Sequence, residues 1–533
     1  MRIRDFTPAK GTFNPGDPAA FIIELAKGEE RQPSCEAQLS IYDMEDRLTI
    51  ITRSLDGDMN EDRLQMTWTP GKSVKGGFCA RLRLVSLSGA VLDEQWTAFD
   101  VLEDWTDFPR YGFLTDFTPG RENLEPTIRY LARHHINGLQ FYDWQYRHEE
   151  LVPPHPTYSD PLGRTLSADT VRSFIQYGHD YGMKAMPYMA VYAASLPFWE
   201  KHRDWALYDE EGEGHQFEGF LGLMDPSPGG PWINHIREEC DRVLDDFKFD
   251  GIHIDQYGEP RTGYNARGQE VDLPHSFTSF IGDLKEAHPE RSIVFNAVKN
   301  WPIEALARSR TDFLYIEVWP PDTSYQDLAR IVHQGRDLSG GKPVVIANYI
   351  PADHVANVRL ADAVIYAAGG TRIEVGEKGR LLADPYFPEH EPIHPELEEV
   401  LHRYHDFHVG YGDVLGPSAA RQYDNMVKAP PEVLTVVSRD PHRMCVSLVN
   451  FSGLENARWD ESHSAPQPMA EIGIRIKSEG DIRTVTWGTP DSTDWQLQPL
   501  PWQDMNNEIQ VKVPQLDYWS IIVINYGKKE HSA

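Results

Sequence analysis

Between residues 106 and 412 the chain alternates short apolar runs with stretches of helical period, eight times over. The runs lie at 111–117, 138–144, 184–192, 251–255, 292–298, 313–319, 343–349 and 371–375. Between them, apolar residues recur three and four apart. Leu124, Ile128, Leu131 and Ala132 share one helical face; Val171, Phe174, Ile175 and Tyr181 share another, closed by Gly182. Ile233, Ile236, Cys240, Val243, Leu244 and Phe247 form the face that leads into the fourth run. Strands separated by helices pair in parallel. Eight such units over roughly 300 residues predict a TIM (β/α)8 barrel, an architecture of typically ~250 residues before insertions. A doubly wound sheet is the competing arrangement. It is disfavoured because no glycine-rich phosphate loop follows any of the runs.

The flanks read differently. Residues 1–105 carry short, partly alternating runs at 21–25, 35–41, 64–68 and 80–85. Asn14-Pro15-Gly16-Asp17, Asp56-Gly57 and Lys75-Gly76-Gly77 punctuate them as turns. This spacing predicts an immunoglobulin-like β-sandwich. Residues 413–533 return to strand character at 433–437, 445–451 and 519–524 and predict a second β-sandwich. The expected fold is therefore multidomain α/β plus all-β, with a central barrel at 106–412 between two sandwiches.

Charge narrows the partners. The 533 residues hold 51 Lys+Arg against 82 Asp+Glu, a formal charge of −31. Such a surface repels phosphate backbones and anionic membranes, so neither nucleic acid nor membrane is an expected partner. No apolar run approaches the ~18 residues of a spanning helix. The four cysteines (Cys35, Cys79, Cys240 and Cys445) have no metal-type spacing and predict no disulfide framework. The opening residues MRIRDFTPAKGTFNPGD lack an apolar h-region, which reads as a cytoplasmic protein, or a secreted one if a leader was removed.

Chemistry in parallel α/β folds collects at the carboxyl ends of the strands. In 249–258, Ile252 and Ile254 alternate with His253 and Asp255, which sets a carboxylate at the end of the fourth strand. That aspartate is a catalytic candidate by position, although a strand-end aspartate is more often simply solvated or caps the next helix. Others stand at matching places: Asp143 on the second strand, Asn296 on the fifth, Glu317 on the sixth and Glu374 on the eighth. Two carboxylates across a barrel mouth are what glycoside hydrolysis requires. No Ser/His/Asp order and no tight His/Cys cluster is present, and neither a cofactor nor a metal is expected. His134-His135 reads as a surface pair at a helix end. The long stretch 193–231 carries Trp199, Trp205, Tyr208, Phe217 and Phe220, which fits a set of sugar subsites or lid and fits a small packed subdomain as well.

The residues then become specific. Asp250-Gly251-Ile252-His253-Ile254-Asp255-Gln256-Tyr257-Gly258 and Tyr315-Ile316-Glu317-Val318-Trp319 resemble the nucleophile and acid/base strands of glycoside hydrolase family 66, the endodextranases and cycloisomaltooligosaccharide glucanotransferases. Phe141-Tyr142-Asp143-Trp144-Gln145-Tyr146-Arg147-His148, Ile373-Glu374-Val375-Gly376-Glu377 and Pro385-Tyr386-Phe387-Pro388 resemble further family segments, so the likeness spans nearly the whole chain. It implies a retaining cleavage of α-1,6-glucosidic bonds in dextran or isomaltooligosaccharides, with Asp255 as nucleophile and Glu317 as acid/base. It further implies Asp143, Asn296 and Glu374 as hydroxyl-binding residues, and Tyr257, Trp144 and Trp319 as stacking surfaces. The cyclising members of the family carry a module inserted late in the barrel. Here 351–354 runs straight from the seventh strand toward a helix, which favours hydrolysis over cyclisation. The alternatives are a cyclising glucanotransferase and a non-catalytic carbohydrate-binding barrel. An α-amylase-type site fits poorly, since it carries arginine two residues before its nucleophile, where this chain has His253.

Overall fold

The structure is a computed structural model that describes residues 2–26, 35–55, 63–422, 426–440, 442–478, 480–505 and 507–527. The expected Asp56-Gly57 turn lies outside them. The fold is multidomain and rich in β-structure, with seven sheets among the described residues.

The amino-terminal part holds two antiparallel sheets. Strands Ile3–Pro8, Ala19–Leu25 and Arg63–Trp68 form one; Asp46–Ser54, Cys35–Asp43, Gly76–Ser86 and Val91–Val101 form the other. Ala19–Leu25 alternates buried and half-buried residues strictly, so one face makes core. Across the two sheets Phe21 meets Phe99 edge to face, with ring centroids 5.1 Å apart. At the carboxyl end a six-stranded and a four-stranded antiparallel sheet share a separate core, including Val446, Leu448, Ile474, Val511 and Ile522.

Between them lies a curled sheet. Its parallel strands are β1 (Tyr111–Leu114), β2 (Gly138–Phe141), β3 (Lys184–Ala190), β4 (Gly251–Asp255), β5 (Ser292–Val298), β6 (Leu314–Glu317) and β7 (Val344–Ala347). They pair in chain order. The expected eighth strand is split in two. Its first piece, β8 (Thr371–Arg372), pairs with β7; its second, β9 (Val375–Gly376), pairs with β1 at Phe113. Gly376 permits that approach, since a Cβ there would lie 2.2 Å from the Phe113 ring.

The sheet's two faces have different cores. Ile252, Ile254, Ile293, Phe295, Leu314 and Ile316 pack outward with the helices. The other parity (Tyr111, Met186, Val294, Tyr315, Val345 and Ile373) forms a second apolar cluster inside the curl. The helices carry ordinary stop and start signals: the Ser167 hydroxyl caps Ala168–Asp180, and a Ser324/Asp327 capping box opens Tyr325–Ser339. No described helix is long and apolar enough to cross a membrane, and the four cysteines are buried and form no disulfide with one another.

One surface expectation is overturned. His134 and His135 are buried, at 2% and 0% exposure. Both sit against helix Pro395–Gly410, where His135 Nε2 lies 2.9 Å from Asp406 Oδ1 and His134 Nδ1 lies 3.0 Å from His405 Nδ1. Asp406 also accepts the Ala98 amide at 2.8 Å, which ties the amino-terminal sheet to this helix. The pair serves packing between helices, which helical period alone does not reveal.

Candidate active site

The inward parity of the curled sheet is apolar at its start and polar at its carboxyl end. On β4, His253 and Asp255 follow one another on the inner side; on β5, Asn296 follows Val294; on β6, Glu317 follows Tyr315. These ends open into a cleft of 710 Å³. Residues from the connections after the strands complete its walls.

Asp255, Asn296 and Glu317 meet directly. Asn296 Nδ2 donates to Asp255 Oδ1 at 2.9 Å and to Glu317 Oε2 at 2.7 Å. The remaining oxygens have their own donors. Tyr188 Oη donates to Asp255 Oδ2 at 2.9 Å. Trp319 Nε1 and Tyr349 Oη both donate to Glu317 Oε1, at 2.8 and 3.0 Å. Each of the four carboxylate oxygens of the pair thus accepts at least one side-chain hydrogen bond.

Burial governs the charge of the pair. It pushes the Asp255 carboxyl up to about 7, and the neighbouring Glu317 charge adds to the shift against the Asn296, Tyr188 and Gln256 backbone donors. Burial also raises Glu317, opposed by Asn296, Trp319 and Tyr349. Two carboxyls this close titrate as one unit and retain one proton between them into the neutral range. Such a pair offers one ionised oxygen and one acid side by side, which is the requirement of nucleophilic substitution with leaving-group protonation.

The cleft brings together most of the other expected residues. Asp143, Tyr257 and Trp319 line it beside the central trio. Burial pushes Asp143 up to about 6, with Arg164 opposing. Tyr257 rests on Tyr192 at 5.4 Å, and its buried Oη has no hydrogen-bond partner among the described residues. The lining bears Asp143, Glu218, Asp255, Glu259, Glu317 and Asp384 against one lysine, Lys299, which is itself 3.3 Å from Glu259. This balance suits a neutral ligand and opposes an anionic one.

Two expected contacts are placed elsewhere. Trp144 is fully buried between Phe247 and Phe249, each 4.9 Å away by ring centroid. Asp143 takes a left-handed backbone, φ 49°, and the following residue is carried away from the cleft into the core. Its indole donates to the Tyr188 carbonyl at 3.2 Å. Glu374 lies between the two halves of the split strand and is 1% exposed. It pairs with Arg372 at 2.9 Å and lies 3.3 Å from His405, outside the cleft lining. A buried arginine demands such a partner, which a strand-end position does not disclose.

The stretch 193–231 folds as a small unit around a three-stranded sheet. Trp199 packs beneath Gly222, where a Cβ would fall 2.0 Å from the ring. The same unit presents Phe217 and Phe220 to the cleft. The stretch is thus a small packed subdomain that also contributes to the cleft wall. Tyr188 and Tyr349 are the functional contacts that strand-end reasoning passed over; a tyrosine near a strand end on the inward parity is the available signal. Tyr386 and Phe387 also line the cleft, and Phe387 stacks on Tyr142 at 4.3 Å with planes 10° apart.

The family model described as Glycosyl hydrolase family 66 matches residues 8–523. A cycloisomaltooligosaccharide glucanotransferase of Niallia circulans is 30% identical over 369 residues, covering 64% of this chain and 37% of that relative; the chain thus matches little more than a third of its length. A dextranase of Streptococcus salivarius is 22% identical over 589 residues, covering 87% of this chain and 71% of that protein. Among solved structures, the cycloisomaltooligosaccharide glucanotransferase of Paenibacillus sp. complexed with cycloisomaltoheptaose superposes with a TM-score of 0.89 at 21% identity, over 98% of this chain and 99% of that one.

Proposed function

The chain belongs to glycosyl hydrolase family 66, and from that premise we propose that it cleaves α-1,6-glucosidic linkages of dextran or isomaltooligosaccharides by double displacement, with retention of configuration. The observation that carries the reading is the shared Asn296 amide. Contacts of 2.9 and 2.7 Å to one nitrogen keep the two bound oxygens within about 5.6 Å of each other, a close approach of the kind that the ~5–5.5 Å carboxyl spacing of retaining glycosidases calls for.

In this mechanism ionised Asp255 attacks the anomeric carbon while Glu317 protonates the leaving O6. A glucosyl ester on Asp255 results. Glu317, now ionised, takes a proton from water, the water oxygen attacks the anomeric carbon, and Asp255 leaves as the carboxylate. The single proton of the pair resides on Glu317 in the productive state. Asp143, Tyr257 and Trp319 line the space on which the sugar rests. The fold reading that accompanies this is a TIM (β/α)8 barrel over 106–412, supported by the pairing of β8 with β7 and of β9 with β1, between β-sandwich domains at 1–105 and 413–533.

Hydrolysis is favoured over cyclisation by the direct passage from β7 into helix Val355–Ala367. The test is to incubate the protein with dextran and with isomaltooligosaccharides and resolve the products. Linear saccharides released with α configuration support the reading. Cyclic products shift the assignment to glucanotransfer, and no turnover of either substrate rejects it.

A further inference from the structure

Asp255 Oδ2 is held by a tyrosine from a strand that contributes no carboxylate to the site. Tyr188 Oη lies 2.9 Å from that oxygen, and Tyr188 pairs in register with His253, two residues before Asp255. The phenol's own setting is built around this contact. Its ring packs on Tyr142 at 5.1 Å, and Tyr142 in turn stacks on Phe387. Its carbonyl accepts the Trp144 indole at 3.2 Å, and that indole is wedged between Phe247 and Phe249, the residues that lead into β4. The backbone carrying the phenol and the backbone carrying Asp255 are thereby fastened to one another through Trp144. Burial raises the phenol well above its ordinary range, so it remains a donor throughout the neutral range.

We propose that Tyr188 is a positioning residue for the nucleophile, clamped by Trp144, and that its chief effect is on the second half of the reaction. The proposal rests on the double-displacement reading above. While the glucosyl group sits on one oxygen of Asp255, the other is an ester carbonyl, a weak acceptor. As water attacks and the bond from the anomeric carbon to Asp255 breaks, the electron pair returns to the carboxylate. A donor on the free oxygen stabilises that charge as it develops, more than it stabilises the ester. Nothing is transferred from Tyr188; its proton stays on the phenol oxygen.

The experiment compares wild type with Tyr188→Phe and Trp144→Phe on an aryl α-glucoside with a good leaving group, following aryl release in the first turnover and the intact mass of the enzyme. Loss of the donor from a charged acceptor is expected to slow deglycosylation by about 10- to 100-fold. Tyr188→Phe then shows an aryl burst and accumulates a mass increased by one glucosyl unit, and Trp144→Phe shows the same in weaker form. The acid limb of kcat/KM moves upward by about one pH unit in Tyr188→Phe, because the ionised form of Asp255 has lost a hydrogen bond. An unchanged acid limb and no accumulated adduct in Tyr188→Phe overturn the proposal, as does a loss confined to KM. If wild type itself is never glucosylated under any trapping condition, double displacement fails. The acid limb still decides on Tyr188 in that case, since it reads the titration of Asp255 whatever that group does next.

Discussion

Asp255 and Glu317 each give one carboxylate oxygen to the same nitrogen, Asn296 Nδ2. An amide with two N–H bonds can satisfy both at once, and it fixes the distance between them. Without it, two buried carboxyls facing a common space would separate or share a proton directly.

Replacing Asn296 by alanine is therefore expected to lower kcat on the order of 10²-fold, comparable with removing one preorganised donor from an active site. Asn296→Asp, which puts a third carboxyl between two others, is expected to lose more. Steady-state kinetics on isomaltooligosaccharides checks both. A KM effect alone would assign Asn296 to the sugar instead.

The pH profile follows from the pair. Catalysis needs one member ionised and the other protonated. Below the first titration both are protonated and the nucleophile is lost. Above the second both are ionised and the acid is lost. Because burial raises both carboxyls and their mutual repulsion adds to the shift of Asp255, kcat/KM is expected to follow a bell with both limbs displaced upward from the ordinary carboxylate range and to decline on the alkaline side of neutrality. An activity plateau extending to pH 9 would contradict this.

The same shift has a stability consequence. A carboxyl raised in the folded state favours the fold while protonated, and that contribution is lost as pH rises from its unfolded value near 4 through about 7. Asp255→Asn stays neutral throughout. It is expected to unfold at higher denaturant than wild type at pH 8, by about 1–3 kcal/mol, with the difference shrinking toward pH 4. Urea melts at the two pH values make the comparison.

Much of this was legible in the sequence, for a definite reason. The alternation of Ile252 and Ile254 with His253 and Asp255 has a period of two, and a sheet with helices outside and a cleft inside sorts those parities without further information. The same logic locates Asn296 and Glu317. It fails once the chain leaves the strand. The left-handed turn at Asp143 sends Trp144 inward to the core, and no propensity announces that turn. Glu374 follows the strand pattern yet answers to Arg372, a buried charge whose partner depends on three-dimensional neighbours. Tyr188 carries the right parity, but a tyrosine on an apolar strand reads as packing until its hydroxyl is seen against Asp255.

Glu374 supplies a separate check. As a partner in a buried ion pair, its replacement by alanine leaves Arg372 with Asp362, 3.1 Å away, as its remaining carboxylate partner among the described residues. The expected result is a loss of about 1–3 kcal/mol of stability with KM nearly unchanged in the folded fraction. Thermal melts alongside kinetics test this, and a raised KM in a fully stable variant would return Glu374 to the substrate.

The roles of the two carboxylates are separated most directly by azide. With an aryl α-glucoside, Glu317→Ala needs no acid to expel the aryl group but cannot activate water, and azide requires no base. Its product is expected to be the glucosyl azide of retained, α configuration, formed faster as azide is added. Asp255→Ala has no nucleophile, so azide entering the vacated face is expected to give the β configuration. The measurement is the anomeric configuration of each isolated azide by NMR. An α-azide from Glu317→Ala with a β-azide from Asp255→Ala is the result expected here; the opposite pattern would exchange the two roles, and undiminished cleavage of dextran by both variants would place the catalytic pair elsewhere.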